Sequence, residues 1–156
     1  MKRSAWKSYL IFLLIPLAVG GGAFLLTRDA MAGYELLRRP PLAPPGWLFS
    51  VVWPLLYLLM GLSAAIIFRS GSSLRGKVLF LWGLQLFVNF WWPIFFFAWE
   101  QRLLALFWLG LLVLLSAKML ASFRRIRPLA GRMNIPYLLW LLFAFYLNLS
   151  VWLLNS

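Results

Sequence analysis

The sequence predicts an all-α integral membrane protein, a bundle of five transmembrane helices. Three observations carry this. First, 64% of the 156 residues are hydrophobic and only 12% are charged, against roughly half and a quarter in a soluble domain. Second, mean hydropathy is +0.89. Third, five apolar runs each reach the ~20 residues that a helix needs to cross ~30 Å of hydrocarbon. The runs are apolar all round, without the short alternating segments of a membrane barrel. Helices also satisfy their own backbone hydrogen bonds, as lipid requires.

The spans follow in order. The first covers residues 9–26 and the second 47–68. The third covers 78–99, the fourth 103–123 and the fifth 135–154. Pro16, Pro54 and Pro93 fall inside the first three, where each removes a backbone bond and bends its helix. Ala18/Gly22 and Gly61/Ala65 place small residues four apart, a spacing that allows close helix contact. Connections are short except 27–46. In that stretch Arg39-Pro40-Pro41-Leu42-Ala43-Pro44-Pro45-Gly46 is too proline-rich for a helix. It reads as a stiff linker or as a lid over the bundle. No domain boundary or long repeat interrupts residues 1–156, which read as a single membrane domain.

Composition excludes much chemistry. The chain has neither Cys nor His, which removes disulfides, thiolate or histidine metal sites, and Ser–His or Cys–His catalysis. Its three acids are Asp29, Glu35 and Glu100, too few for a carboxylate metal cage. None lies mid-span, which disfavours proton relays and an antiporter built on an intramembrane carboxylate. The expectation is therefore no metal and no resident cofactor.

Fifteen Lys and Arg give a net charge of +12. In so apolar a chain this reads as basic loops on anionic lipid, not as nucleic-acid binding. Lys2, Arg3, Lys7, Arg69, Arg75 and Lys77 share one side with Arg124, Arg125, Arg127 and Arg132, and Lys118 leans to it. The other side holds Arg28, Arg38, Arg39, Arg102 and all three acids. That bias predicts a cytoplasmic N-terminus, an outside C-terminus and a bacterial inner membrane. Basic residues before the first span and Ala30-Met31-Ala32 after it resemble a secretory signal peptide. The apolar run is longer than such a segment needs, so the first span is expected to be retained.

Polar residues inside the spans are few. Gln85 and Asn89 lie four apart on the third span, in line with Trp92 and Phe96. Trp140, Ala144, Asn148 and Trp152 form a similar stripe on the fifth, and Phe49, Trp53 and Tyr57 on the second. An amide facing lipid is costly, so these faces should turn inward. Two readings stand: hydrogen bonds between helices, or an aromatic cavity with a few polar groups, suited to a large flat apolar ligand.

The same residues resemble the TspO/MBR family, the tryptophan-rich sensory proteins and translocator proteins. Arg39-Pro40 with Pro44-Pro45-Gly46 is similar to that family's first-loop Lys-Pro…Pro-Pro pattern. Phe49…Trp53…Tyr57 followed by Met60-Gly61 is similar to its second helix. Asn89-Phe90-Trp91-Trp92-Pro93-Ile94-Phe95-Phe96 resembles its third-helix signature. Pro136-Tyr137-Leu138-Leu139-Trp140, with Phe143-Ala144 and Leu147-Asn148, resembles its fifth. Each motif is weak alone; four in order, over residues 9–155, are specific.

The resemblance implies a five-helix bundle, often a homodimer, with a pocket beneath the first loop that binds porphyrins and flat synthetic ligands. By position the pocket would use Tyr34, Trp53, Tyr57, Asn89, Trp92, Trp140, Phe143, Ala144 and Asn148, under a lid shaped by Pro40, Pro44 and Pro45. The implied function is a receptor or carrier for tetrapyrroles. The alternative is light- and oxygen-dependent porphyrin degradation, with Trp53 and Trp140 as the electron-exchanging residues. There are two departures. Leu42 stands where many bacterial members have a loop aromatic. No Lys or Arg follows Tyr137 or Tyr146 within reach, as a cholesterol-recognition pattern requires.

Overall fold

The computed structural model describes residues 2–156, with side chains from Ala5 onward. Helix α1 spans Lys2–Thr27 and is followed by a 3-10 turn, Arg28–Ala30, and the short α2, Met31–Glu35. Helix α3 spans Gly46–Phe68 and α4 Arg75–Pro93, the latter continuing into a π-helical turn, Ile94–Ala98. Helix α5 covers Arg102–Ile126, α6 Pro128–Arg132 and α7 Ile135–Asn155. Five of these stretches are long and apolar enough to cross a membrane, and among the described residues no strand occurs.

The apolar runs locate the helices, and their ends differ from the sequence reading for physical reasons. Helix α1 extends back to Lys2, because charged residues beyond the hydrocarbon keep their helical bonds. The stretch 27–46 is not wholly irregular: its first part, before the prolines, is helical. The third span does not run through as α-helix. After Pro93 the turn widens, Trp99 N–H donating to Ile94 O at 2.8 Å. Glu100 then adopts a left-handed φ of 54°, and Gln101 N–H reaches Phe95 O at 2.8 Å, reversing the chain into α5.

Lipid tails are as apolar as leucine, so close packing and interhelical hydrogen bonds hold the helices together. Helix α1 packs along α3 and also meets α4; α5 packs on α4 and α7. Gly61 makes the α1–α3 contact possible. A Cβ there would lie 2.5 Å from Phe12 O and 2.8 Å from Leu13 Cα, so the two backbones touch. Ala65, four residues on, is fully buried, whereas Ala18 is exposed. Of the two small-residue pairs, Gly61/Ala65 serves close helix contact. At the basic end, Asn134 Nδ2 donates to Ser63 Oγ at 2.9 Å, tying α7 to α3.

The first loop is fastened at three points. Glu35 Oε1 accepts the Gly46 N–H at 2.8 Å, capping α3 in a favourable dipole position. Tyr34 OH donates to Pro44 O at 3.2 Å. Arg38 N–H donates to Asn155 Oδ1 at 3.1 Å, and Asn155 Nδ2 returns a bond to Arg38 O at 2.8 Å, which joins the loop to the end of α7.

Candidate functional site

A cavity of about 350 Å³ lies between α1, α3 and α4, at the end where the first loop runs. That size is within the usual range for small-molecule sites, roughly 300–1,000 Å³. Helix α3 contributes Phe49, Ser50, Trp53, Pro54 and Tyr57; α4 contributes Asn89, Trp92 and Pro93, with Phe97 from the π-turn. Helix α1 supplies Leu17, Gly20, Gly21, Ala23 and Phe24. Thr27 and Met31 close the wall where α1 leads into the first loop.

The glycines of α1 make the space. A Cβ on Gly20 would overlap the Tyr57 ring, so the ring lies on the α1 backbone. A Cβ on Gly21 would meet nothing within 4 Å, because that residue faces the open volume. Trp53 stacks on Tyr57 with ring centroids 5.5 Å apart at 28°. Together they form an aromatic wall that meets α1 at Gly20.

The buried amides and tyrosine hydroxyls nearby bond to one another in a chain. Tyr57 OH donates to Asn89 Oδ1 at 2.7 Å, and Asn89 Nδ2 donates to Tyr137 OH at 2.8 Å. Tyr137 OH in turn donates to Gln85 Oε1 at 2.7 Å, and Gln85 Nε2 approaches Met60 Sδ at 3.5 Å. This relay joins α3, α4 and α7 through groups that are all buried. A second pair ties α4 to α7 and α5: Trp92 Nε1 donates to Asn148 Oδ1 at 3.0 Å, and Asn148 Nδ2 to Arg102 O at 2.9 Å. Gln85, Asn89 and Asn148 all bond between helices, and Asn89 lines the cavity as well.

The structure therefore divides the candidate residues. Trp53, Tyr57, Asn89 and Trp92 line the cavity. Tyr34 is buried beside it, edge-on to Phe49 and Phe97, with the Arg39 guanidinium 5.0 Å over its ring. Arg39 is also paired with Glu35 at 3.2 Å. Ala144 and Asn148 are buried in α7 packing. Trp140 and Phe143 face elsewhere, lining a shallow groove on the α3–α7 side with Leu42 and Pro44. Trp140 stays in contact with the aromatic wall, 6.5 Å and nearly perpendicular to Trp53. Its indole N–H is buried without a hydrogen-bond partner among the described residues. Pro40 and Pro44 are buried, whereas Pro45 is exposed.

Sequence reasoning missed the α1 wall. Its signal was the run Gly20-Gly21-Gly22-Ala23, unusually small for a transmembrane helix. Among the described residues, no group of three or more acids, histidines or cysteines is placed to hold a metal.

The sequence model of the TspO/MBR family matches residues 12–153. The chain belongs to the TspO/MBR family. Among its relatives, protein CrtK of Rhodobacter capsulatus is 38% identical over 133 residues, covering 80% of this chain and 79% of the relative. The tryptophan-rich protein TspO of Chlorobaculum tepidum is 34% identical over 144 residues, 89% and 90% of the two chains. The translocator protein of Sus scrofa is 33% identical over 154 residues, 94% and 89% of the two. With five apolar helices, this TspO/MBR member is an integral, multi-pass membrane protein. Family membership supports a membrane receptor or sensory protein.

Proposed function

We propose that the protein is a membrane receptor or carrier that binds porphyrins and similar flat apolar ligands in the cavity between α1, α3 and α4. One observation carries the reading. Trp53, Tyr57 and Trp92, from two helices, line a single mostly apolar volume opposite a glycine-rich helix. Aromatic faces supply area for a flat ring system, and the Arg39 guanidinium, over the Tyr34 ring beside the cavity, could exchange its Glu35 partner for an acidic substituent. The first loop, pinned through Tyr34, Glu35 and Asn155, serves as the lid, with Pro40 and Pro44 packed beneath its surface.

Titrating protoporphyrin into detergent-purified protein in the dark, with tryptophan fluorescence as readout, tests this. Wild type should quench saturably at one ligand per chain. Trp53→Ala should weaken binding about tenfold or more, in line with one lost aromatic contact of ~1.5 kcal/mol. Unchanged affinity in this variant would remove Trp53 from the site.

The contact series Tyr57–Trp53–Trp140 favours a second reading, in which the bound porphyrin is degraded in light with molecular oxygen as the oxidant, these rings exchanging electrons with it. Illumination of the complex should then yield products that disappear when Trp53 and Trp140 are both replaced by Phe.

Orientation belongs to the same proposal. The N-terminus and the turns and helix ends that carry Arg69, Arg75, Lys77, Arg124, Arg125 and Arg127 would face the cytoplasm across a bacterial inner membrane, the protein pairing there as a homodimer. Because the chain has no cysteine, single cysteines report topology without background. Ser156→Cys should react with a membrane-impermeant maleimide on intact cells, and Ser72→Cys only after lysis. The reverse pattern would invert the assignment.

A further inference from the structure

One end of the bundle, where α3 turns into α4 and α5 into α6, carries many cations and no carboxylate. Arg69, Arg75 and Lys77 stand at the first of these turns, and Arg124, Arg125, Arg127 and Arg132 at the second, all of them exposed. The acids Asp29, Glu35 and Glu100 lie at the opposite end, and so do the ion pairs Arg39–Glu35 and Arg102–Glu100. Like charges crowded in this way repel, and an anion placed among them relieves the repulsion.

The two turns are tied to each other and held in shape. Arg127 Nη2 reaches across to donate to Ser70 O at 3.3 Å. Arg75 Nη1 donates to Phe68 O at 2.8 Å, its guanidinium 5.3 Å over the Phe68 ring. Both guanidiniums are therefore anchored on the same turn. Ser70 Oγ donates to Ile67 O at 2.6 Å and accepts the Ser72 N–H at 3.2 Å, which stiffens that turn. On the other side α6 folds tightly onto the last turn of α5, for a Cβ on Gly131 would lie 2.6 Å from Arg124 Cβ. The hydrogen bonds of Arg75 and Arg127 all go to carbonyl oxygens, so their charge is uncompensated and further N–H groups remain for an anion. Exposed leucines stand among these cations. Leu74, next to Arg75, is 55% exposed, and Leu129, close to Arg127, is 61% exposed.

We infer that these two turns form a binding site for an anionic phospholipid, with Arg75 and Arg127 holding its phosphate and Leu74 and Leu129 meeting its acyl chains. Turns at the ends of membrane-spanning helices lie at headgroup depth, where each nearby Lys or Arg favours an anionic lipid. A planar guanidinium fork matches phosphate oxygens better than a point charge does. A soluble acidic partner would use the cations and leave the leucines in water, whereas an amphiphile uses both. The charge bias of the whole chain attracts anionic lipid anywhere along this side; two guanidiniums anchored on one turn make a particular place on it. Both leaflets have headgroups, so the site depends neither on the orientation of the chain nor on what the cavity binds.

The test uses the full-length protein in uncharged detergent micelles, titrated with phosphatidylglycerol or with phosphatidylcholine of the same acyl chains. Native mass spectrometry reads the lipid mole fraction at which half of the chains carry one adduct. Wild type should reach that point with phosphatidylglycerol at a mole fraction about tenfold lower than with phosphatidylcholine. Arg75→Gln combined with Arg127→Gln should remove most of this preference, leaving about threefold or less. Lys7→Gln combined with Lys118→Gln takes the same charge from outside the two turns and should leave the preference within about twofold of wild type. Leu74→Ser combined with Leu129→Ser keeps every charge and should weaken phosphatidylglycerol binding about threefold or more. No wild-type preference between the lipids overturns the inference. An equal loss in the arginine and lysine variants also overturns it, because surface charge alone would then explain the binding. Displacement of the lipid by inorganic phosphate at matching concentration assigns the turns to a free anion and overturns the lipid site. If the arginine variant fails to fold, the leucine variant decides: unchanged binding there overturns the inference, and weakened binding supports it.

Discussion

Replacing Gly61 by leucine should lower stability by ~3 kcal/mol or more, because the new side chain has nowhere to go. Its Cβ alone would fall 2.5 Å from Phe12 O and 2.8 Å from Leu13 Cα, which are backbone atoms and not the ends of flexible side chains. Relief therefore requires α1 to move away from α3 as a unit. That separation uncovers the Phe12 carbonyl and widens the cavity on its α1 side. Thermal unfolding in detergent, followed by circular dichroism, measures the loss. Gly83→Leu is the matched control, since a Cβ at Gly83 meets nothing within 4 Å. If both variants lose the same stability, helix propensity or lipid solvation, and not the α1–α3 contact, is responsible.

Replacing Asn89 by leucine should cost about 2–3 kcal/mol and loosen three helices together. The amide accepts from Tyr57 and donates to Tyr137, so its removal strands two buried hydroxyls in an apolar interior. The triple change Asn89→Leu, Tyr57→Phe and Tyr137→Phe removes the polar atoms together and should recover much of the loss. A triple variant no more stable than the single one would show that volume at position 89, and not unpaired hydroxyls, sets the cost. Ligand titration on the same proteins separates packing from recognition. Because the Asn89 amide is engaged by the two tyrosines, the triple variant should keep most of its affinity for protoporphyrin.

Much of the architecture was legible in the sequence, and the reasons are particular. The spans could be placed because lipid tolerates only long apolar helices, and the polar stretches between them mark the turns. Asn89-Phe90-Trp91-Trp92-Pro93, together with the proline loop, was enough to indicate the TspO/MBR family, which the comparison with known members then showed. Inward placement of Gln85, Asn89 and Asn148 followed from the cost of an amide in hydrocarbon, and all three are buried. The helix ends were less legible. The break at Pro93 becomes a π-turn and not a simple bend because α5 must fold back within a few residues, and Glu100 makes that reversal.

The candidate site divided along the same line. Trp53 and Trp140 look equivalent in the chain, each an aromatic in a helical stripe, yet only Trp53 lines the cavity. The α1 wall was invisible to a search for aromatic or polar residues, because its contribution is the absence of side chains at Gly20 and Gly21.

By itself, then, the sequence determined the solvent of this protein, its helical class, its family and the charge asymmetry of its two sides. These are properties of composition and local pattern, settled residue by residue against water or lipid. Only the tertiary structure decided where the cavity lies, which proline kinks face it, and which groups on neighbouring helices the amides bind. Helices that are apolar on every side carry little signal of which face turns inward. Contacts between distant residues settle that choice, such as Gly61 on Phe12 and Asn89 between Tyr57 and Tyr137.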